Sequence, residues 1–147
     1  MEHVGYLIAD RARLLRRAFD DRVRVLGVTG PQARLLLYVS RQEGENQGYY
    51  AEQLDVEPIT LTRMIDRMAE AGMVERRPDP CDRRAWRLHL TARSRAFVAE
   101  LRTAIDGMTE AMLAGISLQD RETLGRVLTA IGTNLGARRD SKVANDG

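Results

Sequence analysis

The chain has 147 residues, 44% of them hydrophobic and 30% charged, with 23 basic against 21 acidic side chains and a formal net charge of +2. That length suits one domain with an appendage, the apolar content suffices for a core, and the charged content marks a soluble protein. No apolar run approaches the roughly 18 residues of a membrane span, "MEHVGYLIADRARLL" lacks a signal-peptide pattern, and the single cysteine, Cys81, excludes an internal disulfide and fits a reducing compartment, so the chain is expected in the cytoplasm and off the membrane.

From Val4 to Leu26 the apolar residues recur at helical spacing, with Asp and Arg between them. "VTGPQARLLLYVSRQ" then opens a second helix, with Thr29 or Gly30 as its cap and Pro31 in its first turn. "EGENQG" is a polar loop, and "YYAEQLDV" is long enough for about two helical turns. "EPITLTRMIDRMAEAGMV" starts a fourth helix at Pro58, with Leu61, Ile65 and Met68 on its inner face and Gly72 at its end.

"MVERR" and "WRLHL" read as two strands joined by "PDPCD". Trp86, Leu88 and Leu90 fall on one face of the second strand and Arg87 and His89 on the other, so Trp86 is expected to anchor the hairpin in the core. Thr91 can cap a fifth helix with a stripe from Phe97 to Met112, and Ser117 with Asp120 resembles a capping box before a last stripe from Leu124 to Leu135. "ARRDSKVANDG", residues 137–147, has no apolar periodicity and is expected to be a disordered tail.

Charge is concentrated in one region. From Pro58 to Arg95 there are nine arginines against five carboxylates, a net of +4, so the remainder of the chain is slightly acidic. A local basic face of this kind attracts polyanions. The order of elements, with two helices around a tight turn and then a charged hairpin, predicts a mostly α (α+β) winged helix-turn-helix with a two-stranded wing over 29–91. The long helices over 1–28 and 92–136 exceed what such a domain needs for its own core and are expected to pair two copies. No HExxH, P-loop, dinucleotide fingerprint or Cys/His metal spacing occurs, so no catalytic residues, metal or cofactor are expected and the chain is read as a binding protein rather than an enzyme.

The stretch "LDVEPITLTRMIDRMAEAGMVERRPDPCDRRAWRLHLTARSRA" resembles the recognition helix and wing of the MarR (multiple antibiotic resistance regulator) family of transcription factors, most specifically in "DPCDRRAWRLHLT". The resemblance extends over roughly residues 5 to 136. It implies a homodimer on a near-palindromic operator in double-stranded DNA, usually repressing transcription, and often released by a small phenolic or anionic ligand or by an oxidant. Ligands of relatives lie between the dimerisation helices and the wing domain, where Arg13, Arg16, Arg17 and Tyr38 could contribute. Cys81 lies in the wing rather than in the first helix, where oxidant-sensing relatives keep theirs, and reads as an incidental thiol.

With Leu61, Ile65 and Met68 inward, a step of about 100° per residue puts Ile59, Arg63, Asp66 and Glu70 outward, with Thr60, Thr62 and Arg67 on the flanks. The two parallel donors of Arg63 match the two acceptors on a guanine edge, Ile59 could meet a thymine methyl, and Thr60 and Thr62 could reach phosphate or base. Arg63 could instead pair with Asp66, and Ile59 could pack on the preceding helix. Arg83 and Arg84 are expected to reach the minor groove, whose negative potential attracts guanidinium groups. Arg76, Arg77 and Arg87 are expected at phosphates or as surface charges rather than at bases. Glu57, where the family often has Ser or Thr, would repel a nearby phosphate; with the modest net charge it motivates an alternative reading, a winged-helix dimer that binds protein with little specific DNA affinity.

Overall fold

Capping chemistry accounts for most of the element boundaries. The computed structural model describes the backbone of residues 3–145 and the side chains of residues 3–136. Eight elements follow in order: α1 (Val4–Val25), α2 (Gly30–Arg41), α3 (Gln47–Leu54), α4 (Pro58–Glu70), β1 (Val74–Pro78), β2 (Trp86–Leu90), α5 (Ala92–Met112) and α6 (Leu118–Asn145). The strands pair antiparallel, with Val74 opposite Leu90 and Pro78 opposite Trp86. This is the winged helix-turn-helix that the sequence predicts. The chain divides into two units, Met1–Met108 and Thr109–Gly147.

In the first unit, Thr29 caps α2 through a reciprocal box: its hydroxyl accepts from the Gln32 N–H, and the Gln32 side chain accepts from the Thr29 N–H. Pro31 sits in the first turn, where its missing N–H costs nothing. Asn46 caps α3 by accepting from the Tyr49 N–H at 2.9 Å. The helix α4 ends in a Schellman arrangement, with the Met73 N–H on the Met68 carbonyl at 2.8 Å and the Gly72 N–H on Ala69 at 3.0 Å. This ending needs the positive φ of 71° at Gly72. The reversal from α3 to α4 turns on Asp55, left-handed at φ 54°.

The main core joins Leu35, Leu36 and Val39 of α2, Tyr50 of α3, Leu61, Ile65 and Met68 of α4, Val74 of β1, Leu88 and Leu90 of β2 and Val98 of α5. A second cluster packs Phe19 and Val23 of α1 on Ala33 and Leu101. Gly30 lets α1 and α2 approach closely there, because a Cβ at this position would lie 1.7 Å from Asp20 Oδ1. That carboxylate accepts from Arg34 at 3.1 Å, and the same guanidinium lies 5.9 Å over the Phe19 ring. Gly30→Ala is therefore expected to turn Asp20 away from Arg34 and cost about 1 kcal/mol; an unchanged thermal melt would show that the carboxylate relocates freely.

Trp86 departs from its expected place. It shares the face of Leu88 and Leu90, as strand alternation requires, but is 46% exposed, because it lies opposite Pro78 at the outer end of the hairpin, beyond the reach of the helices. Leu88 and Leu90 make the anchor instead, both within the core. A second difference is that the loop after α2 joins the wing as a third extended segment. Gly44 N–H donates to the Leu88 carbonyl at 2.9 Å, Leu88 N–H donates to the Glu45 carbonyl at 3.0 Å, and Asn46 bridges to Arg87.

The α5 start is also tied down. Thr91 and Ser94 cap each other, with the Thr91 N–H donating to Ser94 Oγ at 2.9 Å and the Ser94 N–H to Thr91 Oγ1 at 3.1 Å. The Thr91 hydroxyl donates to the Gly72 carbonyl at 2.7 Å, which links the two ends of the hairpin's connections. Ser94 is fully buried and satisfied by these bonds.

In the second unit the Asp120 N–H donates to Ser117 Oγ at 3.1 Å. Asp120, shorter than the usual Glu of a capping box, takes the Ser117 hydroxyl proton at 2.9 Å rather than the backbone N–H. Arg121 accompanies this turn, donating to the Leu113 carbonyl at 2.8 Å and pairing with Glu110 at 3.1 Å. The backbone of α6 continues through Asn145 rather than ending at the last apolar stripe residue. Ala and Arg, which occur twice each over 137–145, and Lys142 are favourable in helices, so the expected tail is helical in backbone that far. Residues 146–147 lie outside the described residues. Among the described residues no helix is long and apolar enough to cross a membrane.

Candidate nucleic-acid interface

The outward face of α4 and the wing lie side by side. Arg76 of β1 donates to Asp66, which sits on that outward face, so the hairpin rises next to the helix surface that bears Arg63. Ile59, at the leading turn of α4, is 64% exposed and does not pack on α3. Thr60 and Arg63 are exposed, and Thr62 is half-buried. Arg63 does not pair with Asp66, whose carboxylate is instead engaged by Arg76. Pro58 is the first residue of α4 and Glu57 its cap, whose side chain makes no capping bond.

The wing turn is held by its two aspartates. Asp79 accepts from the Cys81 N–H at 2.8 Å and from the Arg87 Nε at 3.1 Å. Those two donors, the Cys81 amide first, hold its carboxyl below the usual carboxylate range, and Asp79 in turn raises Arg87 above its ordinary value. Asp82 accepts from the Arg84 N–H at 2.9 Å. Both side chains of Arg83 and Arg84 remain exposed. Cys81 is exposed as well.

The basic residues of this face therefore fall into two groups. Arg76 and Arg87 are engaged by Asp66 and Asp79, and Arg77 pairs with Glu75 at 3.2 Å on the surface. Among the described residues Arg63, Arg67, Arg83 and Arg84 make no ion pair. An unpaired guanidinium keeps its full charge and all its donors for an outside anion. Charge pairing across elements is what residue spacing alone did not reveal.

Behind the wing, Glu43 gathers three groups. Its carboxylate accepts from the Leu90 N–H at 3.0 Å and from Arg95 at 2.6 Å, and it lies 3.6 Å from His89 Nδ1. Burial would raise this carboxyl, but the Arg95 guanidinium and the Leu90 amide outweigh it and hold it below the ordinary value. His89 is thus a half-buried neighbour of this loop rather than a free surface residue. Tyr50 donates its hydroxyl to the Gln42 carbonyl and accepts from the Glu45 N–H at 3.2 Å, and burial pushes its phenol up to about 12. These bonds stiffen the inner edge of the wing.

The residues expected to hold a ligand are not brought to one place. Arg13, Arg16 and Arg17 line a hollow of about 330 Å³ along α1 with Ala9, Ala12 and Asp20. Tyr38 does not line it; its ring lies half-buried beside the main core, 5.9 Å from the Arg41 guanidinium. A larger hollow of about 470 Å³ lies between the α1–α2 turn, the end of α4 and the start of α5, with Arg67, Arg93 and Gln32 beside Met68, Met73 and Phe97. Residue spacing did not point to it, since its walls come from three separate segments. Among the described residues no cluster of His, Cys, Asp and Glu could hold a metal ion.

A family model described as MarR family matches residues 26–85, the segment from the α1–α2 turn to the wing. The fold is similar to a MarR family transcriptional regulator from Silicibacter pomeroyi, with 26% identity over 90% of this chain and 89% of that one and a TM-score of 0.77. Wild-type MarR from E. coli, in its apo form, is 23% identical over 89% of this chain and 97% of its own, with a TM-score of 0.81. The transcriptional repressor CouR, solved on a 23-mer DNA duplex, is 24% identical over 89% of this chain and 93% of its own, with a TM-score of 0.77. The wing-bearing segment is thus matched in sequence by the MarR family model, and along most of its length the chain shares the fold of MarR family transcriptional regulators.

Proposed function

We propose that the protein is a homodimeric, sequence-specific DNA-binding regulator of the cytoplasm that represses transcription until a small ligand releases it. The observation that carries this reading is the set of unpaired guanidinium groups, Arg63 and Arg67 on α4 and Arg83 and Arg84 on the wing, beside an exposed Ile59 and Thr60. A helix of this kind presents its leading half to base edges in the major groove, and the wing arginines suit the adjacent minor groove. Arg77 is a phosphate contact in this reading. Arg87, tied to Asp79, acts by holding the turn that carries Arg83 and Arg84. The DNA-bound state of the structural neighbour CouR supports the same use of the fold.

Pairing is supported by apolar residues left open on two helices, Tyr6, Leu14 and Leu15 on α1 and Leu124, Val127 and Leu128 on α6. A second copy would present two recognition helices to half-sites about 34–36 Å apart. Release by an anionic ligand is supported by the larger hollow, because Arg67 lines it and also stands on the recognition helix. The hollow bearing Arg13, Arg16 and Arg17 is a second seat of the same charge.

Footprinting on the DNA beside the protein's own gene, followed by titration of that site and a scrambled duplex in rising salt, tests the reading. Preference for the footprinted site should persist as salt rises, because only the counterion-release part of binding fades. Binding that vanishes equally for both duplexes would favour instead a protein-interaction module, for which Glu57 at the front of α4 is the motivating residue.

A further inference from the structure

Four polar side chains from three elements close a loop beside the recognition helix. Gln47, the first residue of α3, donates through Nε2 to Thr62 Oγ1 of α4 at 3.3 Å and accepts through Oε1 from Arg76 Nε of β1 at 3.2 Å. Arg76 continues to Asp66, one turn along α4 from Thr62. Thr62 gives its hydroxyl proton to the Pro58 carbonyl at 3.0 Å. The orientation of the Gln47 amide follows from this network, since the flipped amide would face its NH2 group toward an arginine N–H.

We propose that this clasp is a specificity-determining brace: Gln47 and Asp66 position the wing against the recognition helix and thereby set sequence discrimination, without reading bases themselves. The inference rests on the DNA-binding reading above. Each member has little left to offer a DNA phosphate. The one proton of Thr62 is committed to Pro58 and one of its lone pairs to Gln47, so it cannot donate to an anion. The Arg76 guanidinium, with its side chain only 24% exposed, is turned onto protein acceptors. Asp66 would repel a phosphate in the middle of the outward face, and Arg76 neutralises it.

What the clasp does hold is an angle. Arg63 is next to Thr62 in sequence, whereas Arg83 and Arg84 ride on the hairpin whose first strand carries Arg76. A site with the right bases in the major groove and the right groove geometry beside it satisfies both readers together only if their separation is fixed. With the clasp opened, the wing can settle independently on any stretch of duplex, so the selective complex loses more than the unselective one.

The test measures binding of the full-length parent, Gln47→Ala, Asp66→Asn and Gln47→Glu to the footprinted site and to a scrambled duplex of equal length, at several salt concentrations, with thermal melts alongside. In Gln47→Ala and Asp66→Asn the ratio of site to scrambled affinity is expected to fall roughly tenfold, the scale of coupling within one polar network. Scrambled-duplex affinity should hold or rise in Asp66→Asn, and its salt slope should steepen by about one as the Arg76 charge loses its carboxylate counter-charge. Gln47→Glu should keep most of the ratio, because its carboxylate can accept from Arg76 and from a rotated Thr62 hydroxyl. A parent that discriminates, with folded variants that keep its ratio or lose both affinities in proportion, would overturn the brace alone. A parent without discrimination would remove the DNA-binding reading, and the brace with it.

Discussion

Leu88→Ala is expected to lower the unfolding free energy by about 2–5 kcal/mol, the range for a large side chain removed from a packed core. Leu88 is 0% exposed and lies in the main core with residues of α2, α3, α4 and β1. The surroundings have little freedom to collapse into the space. Its own N–H and carbonyl are bonded to Glu45 and Gly44, its register partner Arg76 is engaged by Asp66 and Gln47, and Tyr50 is held by Gln42 and Glu45. The cost should therefore fall in the upper part of the range. Chemical denaturation would show a lower midpoint with an unchanged slope. A loss below about 1 kcal/mol would mean that the wing is not rooted where its second strand crosses the core. Trp86→Ala is the contrast within the same strand and should cost much less, since that ring is half in solvent.

The second large effect is on binding, and it separates an unpaired arginine of the recognition helix from one of the wing. Arg63→Ala should cost roughly 1–3 kcal/mol, concentrated at particular base pairs of the site, because a bidentate contact to guanine is worth that much against the wrong base. Arg84→Ala should weaken binding across many sequences and reduce the salt slope by about one. The contrast follows from position: Arg63 is rigidly based on α4, whereas Arg84 stands in the wing turn, oriented through its own N–H by Asp82. Base-by-base substitution of the footprinted site with each variant distinguishes the two patterns. Parent-like binding by both variants would show that DNA does not approach this face.

Much of the scaffold could be read from residues a few positions apart. Thr29 with Pro31 announces the start of α2, Gly72 the end of α4, and the two aspartates of "PDPCD" the wing turn. Leu61, Ile65 and Met68 are buried as their spacing requires, and Ile59 and Arg63 are correspondingly outward. Trp86 shows where such reasoning stops. Alternation along a strand assigns a face, but whether that face is covered depends on how far the neighbouring helices extend.

Sequence by itself therefore determined the order and kind of elements, the family resemblance, and which side of the recognition helix looks outward, since periodicity and capping act over one or two helical turns. Tertiary structure decided which arginines are free. Arg76 meets Asp66 across 10 residues and Gln47 across 29, and Glu43 meets Arg95 across 52. The pairings of Arg76 need the turns at Asp55 and Gly72, which bring α3, α4 and β1 together. A guanidinium is a donor to DNA or a brace within the protein according to the carboxylate nearest to it in space, and that distance is a property of the folded chain.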